Sequence, residues 1–301
     1  MLSAIARAWS YRANKLRRSW VKRRYIAPVL DSVAQNAVIL EIGGGYSPRY
    51  VKTRHPHVHH LDHCSADELR AKFASDPAVA HLVGNIQTVD FVSDGRPIEQ
   101  LVPPGLRFDV IYGSHTLEHQ VDLIGHLQSL EALLKPGARV IEVIPDLRTC
   151  FDALRYPTVT SDVLAVHLSP TPNHRGKQVF DSLSREIDKN LGRRMCWADW
   201  EGGRFSHGLA QAYEAMRAAG RADQVYRDTH AWTFTPESFS LLMVELRLLG
   251  LTRLEPVMVS PTYGNQFCAV LTRDDSPAPS SDATVQRLER QRWSLARSLR
   301  I

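Results

Sequence analysis

Val38-Ile-Leu-Glu-Ile-Gly-Gly-Gly-Tyr-Ser47 is the stretch that decides the fold. Its apolar run reads as a strand buried on both faces. Gly43, Gly44 and Gly45 then allow a sharp turn and a close approach of backbone to a ligand, where a Cβ would clash. With a helix starting near Pro48, this is the strand–loop–helix opening of a Rossmann-like unit. No Gly-Lys-Ser/Thr follows, which excludes a phosphate loop, and the dinucleotide pattern lacks its last glycine. An ordinary tight turn between strand and helix has the same local form, so the surrounding chain must arbitrate.

Outward from this loop, residues 37–42 form the first strand and 48–54 a helix. A second strand, Val58-His-His-Leu-Asp62, follows. Asp62 stands about 20 residues beyond the loop, where such folds place an acid on ribose hydroxyls. Ser65-Ala-Asp-Glu68 opens a helix with a capping box. Residues 82–92 read as a third strand ending at Asp90, a candidate partner for an adenine amine or else a loop cap. Phe108–Ser114 is the fourth strand, helix 121–134 follows, and Arg139–Asp146 is the fifth strand. Strands alternating with amphipathic helices give an α/β, doubly wound, mostly parallel sheet. Residues 147–230, rich in Arg, His, Pro and Trp, are too long for a loop and read as a helical insertion after the fifth strand. Helix 236–249 and strands 251–259 and 265–273, the last antiparallel, close the sheet. Three parts result: a basic helix within 1–30, a domain over 31–273 with its cap at about 147–230, and a linker with a terminal helix over 274–301.

The 301 residues, 44% hydrophobic and 23% charged, suit a globular protein. The net charge of +5 is local: residues 1–30 hold eight Lys/Arg and no acid, leaving 29 Lys/Arg against 32 Asp/Glu in residues 31–301. An acidic body argues against a nucleic-acid groove. Cys64, Cys150, Cys196 and Cys268 lie far apart, without metal-ligand spacing, and suggest reduced thiols in a cytoplasmic protein.

The segments Phe108-Asp, Ser114-His-Thr-Leu-Glu-His119, Leu134-Lys-Pro-Gly137 and Ile144-Pro-Asp146 resemble the core of class I S-adenosylmethionine methyltransferases of the type 11 group. Leu61-Asp-His, Pro145-Asp-Leu-Arg148, Phe151-Asp152, Val179-Phe-Asp181, His230-Ala-Trp-Thr-Phe-Thr-Pro-Glu-Ser-Phe239 and Gly264-Asn-Gln-Phe267 resemble a narrower bacterial set linked with surface polysaccharide assembly. The resemblance implies S-adenosyl-L-methionine as cofactor, held by Glu41, Gly43, Gly44, Gly45, Asp62, Asp90 and Ser114. It also implies O-methylation of a sugar or lipid-linked glycan. Methylation of another small molecule or lipid, or a non-catalytic cofactor-binding role in a glycan-assembly complex, are the other readings.

A hydroxyl acceptor must lose a proton, and histidine suits that task near neutral pH. His115, Glu118 and His119 stand where an acceptor would meet the methyl group. His119 and then His115 are the candidate bases, or else Glu118 and His119 orient the loop after the fourth strand. Asp146 is there to orient a hydroxyl or the base, or simply to cap a turn. His230 and Trp232, next to the returning core, are candidate substrate contacts. No local spacing supports a metal site. In the basic segment, Leu2, Ile5, Trp9, Ala13, Leu16 and Trp20 form one helical stripe with Arg and Lys outside it. Three readings remain open for residues 1–26: a helix on an anionic membrane surface, which would make the protein peripheral on the membrane's inner face; a helix packed on the domain or on a second copy of the chain; or an organellar transit peptide.

Overall fold

The computed structural model describes residues 16–187, 203–219, 226–274 and 282–299. Helical residues 16–21 pass through a π turn, Lys22–Ile26, into α1 (Ala27–Asp31). β1 (Ile39–Ile42), β2 (Val58–Asp62), α2 (Ala66–Ala74), β3 (Phe91–Val92), α3 (Ile98–Leu101), β4 (Phe108–Ser114), α4 (Leu123–Leu133) and β5 (Leu134–Pro145) follow. The cap contributes α5 (Thr160–His167), α6 (Gly176–Arg185) and α7 (Leu209–Ala218), and α8 (Pro236–Leu248), β6 (Leu254–Val259), β7 (Gln266–Arg273) and α9 (Asp282–Ser298) end the chain.

Seven strands lie in the order β3-β2-β1-β4-β5-β7-β6. β1 pairs in parallel with β2 and β4, and β7 runs antiparallel between β5 and β6. Every residue of β1 is buried, as a continuous apolar strand in a two-sided sheet requires. Alternation sends Leu40, Ile42 and Ile111 to one face, packed with Leu127 of α4 and Leu242 of α8. Ile39, Val110, Ile141 and Val143 go to the other face, with Val21, Ile26, Val33 and Tyr50.

Four expectations need correction. Residues 48–54 form bends and turns, not a helix, and the amides of Arg49 (2.6 Å) and Tyr50 (2.8 Å) donate to the Glu41 carboxylate. The third strand shrinks to two residues paired with Leu61 and Asp62, preceded by a 3₁₀ segment over Ala80–Asn85. β5 starts at Leu134 rather than after Gly137. The basic helix does not stop before Pro28. The Ala27 amide bonds back to the Lys22 carbonyl, and this wide turn lets the helix continue past a residue without an N–H. Its packing face is also not the sequence stripe: Val21 and Ile26 are buried, while Leu16 and Trp20 are exposed. Residues 1–15 of that stripe, and most of the 274–282 linker, lie outside the described residues. Within the cap, α6 and α7 pack through Val179, Leu183 and Ala212, and α9 docks Leu288 with Arg292–Glu245 and Arg287–Glu255 ion pairs, both 2.9 Å.

Glu142 of β5 is fully buried, and neither carboxylate oxygen has a hydrogen-bond partner. Burial, with the nearby Glu118 charge adding to it, pushes its carboxyl up to about 8. The folded chain therefore keeps a proton that the unfolded chain releases near the ordinary carboxylate value. Stability from this site is present at low pH, declines as pH rises from about 5, and levels off above about 8, with a limiting slope near 1.4 kcal/mol per pH unit. Urea unfolding of the Glu142→Gln variant from pH 5 to 9 should show a flatter profile than wild type. Parallel profiles would show that Glu142 carries no such proton.

Candidate active site

The glycine loop, the tip of β2 and the turn after β4 meet at the carboxyl edge of the sheet, where open α/β folds hold ligands. Gly43 and Gly45 have φ of +68° and +47°, a backbone that L side chains rarely adopt. A Cβ on Gly43 would lie 2.3 Å from the Thr116 methyl, so this glycine lets the β4 loop close onto the β1 loop. The Gly45 amide donates to Asp62 Oδ2 at 3.3 Å, and Asp62 Oδ1 accepts from the His63 amide at 2.8 Å. Asp62 thus stands at the end of β2 with one oxygen only weakly engaged. That oxygen, beside a turn of positive-φ glycines, fits the paired hydroxyls of a ribose.

Other expected cofactor contacts are committed elsewhere. Glu41 is buried and staples the loop through the two amides above; burial raises its carboxyl to about 7 although those amides oppose the shift. Gly44 stands over it, an added Cβ falling 3.4 Å from Glu41 Oε1. Asp90 is exposed, but its carboxylate is engaged, accepting from Lys52 Nζ (2.7 Å) and the His60 amide (2.8 Å). Ser114 is half-buried at the end of β4, in register with Val143.

The turn after Ser114 carries the chemistry. His115 has φ +56°, a non-glycine residue held in the left-handed region while its amide donates to the Val143 carbonyl at 2.9 Å. The Glu118 carbonyl accepts from the amides of Ala231 (2.8 Å) and Trp232 (3.2 Å), which stitches the returning segment to this turn. Three imidazoles then surround the buried Glu118 carboxylate. His115 Nδ1 lies 3.5 Å from its Oε1, and His119 Nε2 and His230 Nε2 each lie 3.8 Å away. Outer partners hold the opposite nitrogens: Gln266 Oε1 at 2.7 Å for His115, Asp228 Oδ1 at 2.8 Å for His119 and Asp152 Oδ2 at 2.6 Å for His230. Burial works against charge on His115 and His119, but their carboxylate neighbours outweigh it and raise both above the ordinary imidazole value. Burial alone would raise Glu118, yet the imidazoles hold it below the ordinary carboxylate range.

The structure therefore brings together His115, His119 and His230. It takes Asp146 away from them: this fully buried carboxylate forms a fork with Arg148 and accepts from Thr262, capping the next turn. Trp232 is 2% exposed and its indole N–H donates to the Gln120 carbonyl at 2.6 Å, while the residue lines a cavity under the cap together with Arg155 and Thr158. Glu118, expected beside His115 and His119, stands at the centre of the cluster; Asp152, Asp228 and Gln266 around it were not singled out by the sequence. Phe151-Asp152 and Asn265-Gln266 do stand within motifs that carry the resemblance, which was the available signal.

A family model described as a methyltransferase domain matches residues 9–246. No curated protein matches the chain. Among solved structures, the CcbJ methyltransferase from Streptomyces caelestis is 19% identical, over 42% of this chain and 50% of that one, with a TM-score of 0.29. The mitomycin 7-O-methyltransferase MmcR is 13% identical over 82% and 52%, with a TM-score of 0.37. An O-methyltransferase family protein from Burkholderia thailandensis is 11% identical over 90% and 60%, with a TM-score of 0.37. The chain thus spans about half the length of the first two.

Asp62→Ala should weaken S-adenosylmethionine binding by about 1.5–3 kcal/mol, the worth of hydrogen bonds to a charged group. Asp90→Ala should leave it nearly unchanged, because Lys52 and His60 hold that carboxylate. Titration calorimetry on both variants checks the contrast, and equal losses would return Asp90 to the cofactor site.

Proposed function

This chain belongs to the methyltransferase-domain family, and we propose that it transfers a methyl group from S-adenosylmethionine to a hydroxyl of a sugar or lipid-linked cell-surface glycan. The observation that carries the reading is the proximity of two features along one sheet edge: the glycine loop with Asp62, and an imidazole cluster built on the turn after β4. The cofactor, when bound, supplies a sulfonium methyl open to in-line attack. The protein's task is to hold the acceptor in line and to take its proton. His115 and His119 provide the proton-accepting groups, with Gln266 and Asp228 orienting their rings. As the acceptor O–H loses its proton, the C–S bond breaks and a C–O bond forms, leaving S-adenosylhomocysteine.

His119→Ala should lower turnover about 10²–10⁴-fold, as loss of an acid–base group does, with cofactor affinity nearly intact. Labelled methyl transfer into glycan, lipid, protein and RNA fractions of an extract reads both the rate and the acceptor class. Label confined to the RNA or protein fraction would overturn the glycan reading.

The exposed end of the basic helix favours a membrane-surface acceptor. Leu16 and Trp20 are 71% and 53% exposed beside Arg17, Arg18, Lys22 and Arg23. An apolar edge with flanking cations suits an anionic interface, each cation contributing about 1 kcal/mol near it. Among the described residues no helix is long and apolar enough to cross a membrane. The full chain should co-sediment with anionic vesicles, less so at high salt, and Leu16→Ser with Trp20→Ser should reduce that binding. Equal sedimentation with neutral vesicles, or none with anionic ones, would remove the membrane from the account.

A further inference from the structure

We propose that Glu118, His119 and His230 form a site for one divalent first-row transition-metal ion, zinc being the type case. One ligand atom from each of the three residues lies within 4.8 Å of the others, and both Nε2 atoms stand 3.8 Å from the same carboxylate oxygen. Tetrahedral zinc with bonds of about 2.0–2.2 Å sets its ligand atoms about 3.4 Å apart, so each carboxylate–imidazole pair at 3.8 Å must close by roughly 0.4 Å and the two nitrogens by up to about an ångström more on binding.

Three further observations point the same way. First, Glu118 is 1% exposed and neither of its oxygens receives a hydrogen bond. A buried acceptor left empty is costly, and here it faces three rings: His115 Nδ1 at 3.5 Å, and His119 Nε2 and His230 Nε2 at 3.8 Å. Second, the His230 ring is held from behind by a hydrogen bond, and the His119 ring has an exposed ion-pair partner behind it. His230 Nδ1 bonds to Asp152 at 2.6 Å, and Asp152 in turn accepts from Arg155 at 2.8 Å. His119 Nδ1 faces Asp228 at 2.8 Å. Carboxylates behind histidines are the usual outer partners of metal-bound imidazoles, fixing the ring and directing the other lone pair inward. Third, a proton does not close the gap, since 3.8 Å from nitrogen to oxygen is beyond hydrogen-bonding range. A cation at the centre satisfies all three inward atoms at once. Imidazole and carboxylate donors together suit zinc and its neighbours rather than magnesium or calcium.

The inference deepens the methyltransferase reading and rests on it for the ion's role, though not for its binding. His119 and His230 keep a solvent-facing edge, at 25% and 11% side-chain exposure, through which an acceptor hydroxyl can reach the ion. Coordination there acidifies the O–H. With the ion bound, His119 is a ligand and no longer a proton acceptor, so the proton passes to His115 alone, and the oxygen takes the methyl group from sulfur as the C–S bond breaks.

The test uses the full chain stripped with dipicolinate and titrated with Co²⁺, read by ligand-field absorption, followed by Zn²⁺ displacement and calorimetry. One saturable equivalent is expected, with a thermal melting temperature that rises on Zn²⁺ addition. His119→Ala with His230→Ala should lose both signals, and His119→Ala alone, at a partly exposed position, serves where the pair does not fold. Asp152→Asn should weaken binding roughly 10–100-fold, the usual cost of losing an outer partner, whereas His207→Ala, an imidazole outside the cluster, should bind as wild type. Absence of a stoichiometric signal, or a signal that survives in the ligand variants, overturns the site. Cofactor affinity of the metal-free protein keeps the two readings apart: intact binding with no metal signal sinks only the ion, and lost cofactor binding in both forms sinks the methyltransferase assignment.

Discussion

A pair of backbone hydrogen bonds to one carbonyl holds this molecule's working parts in register. The Glu118 carbonyl accepts the amides of Ala231 and Trp232, so the segment returning from the cap is tied to the turn that follows β4. The Glu118 side chain, on the same residue, is then enclosed by histidines from both segments. Main-chain bonding within the sheet and between these segments sets distances that the side chains alone, long and rotatable, would not. Removing the cap would leave Glu118 with His115 and His119 on one wall and nothing opposite.

Much of the sheet was legible because its signals are local. Apolar runs at 39–42, 58–62 and 108–114 need no distant partner to be read, and the capping box at Ser65 with Glu68 forms as its spacing requires. The failures arise where a side chain competes with the backbone for a partner. Glu41 ties the amides of Arg49 and Tyr50 to the strand end, where the chain forms bends and turns in place of the expected helix. Asp90, spaced correctly for an adenine, is drawn back by Lys52 and a strand amide. Asp146 finds the fork of Arg148 two residues on, an arrangement a sequence scan cannot tell from an unpaired acid.

The site itself was half legible. His115 and His119 stand out by their place after a strand, and His230 by its return to the core. Glu118 is legible beside them, but only the fold shows that its carboxylate is buried among all three rings. Asp152 and Asp228 come from the cap, whose sequence carries no sheet-like period, so nothing local announces their approach to the rings. His230 and Arg155 hold the buried Asp152 carboxyl down to about 2 against burial, and pairing with His119 lowers the exposed Asp228 carboxyl to about 2.

The meeting of Gly113 and Glu142 across β4 and β5 has an evolutionary side. A Cβ at position 113 would fall 2.4 Å from Glu142 Oε2, so the absent side chain on one strand is the room in which the other strand's carboxyl sits. The two positions therefore form an exchange pair. A lineage that acquires alanine or serine at 113 must first shorten 142, and one that shortens 142 leaves a void that a larger residue at 113 can fill. Descendants should divide into two compatible combinations, with the mixed forms rare, and the buried proton should be inherited only with the glycine.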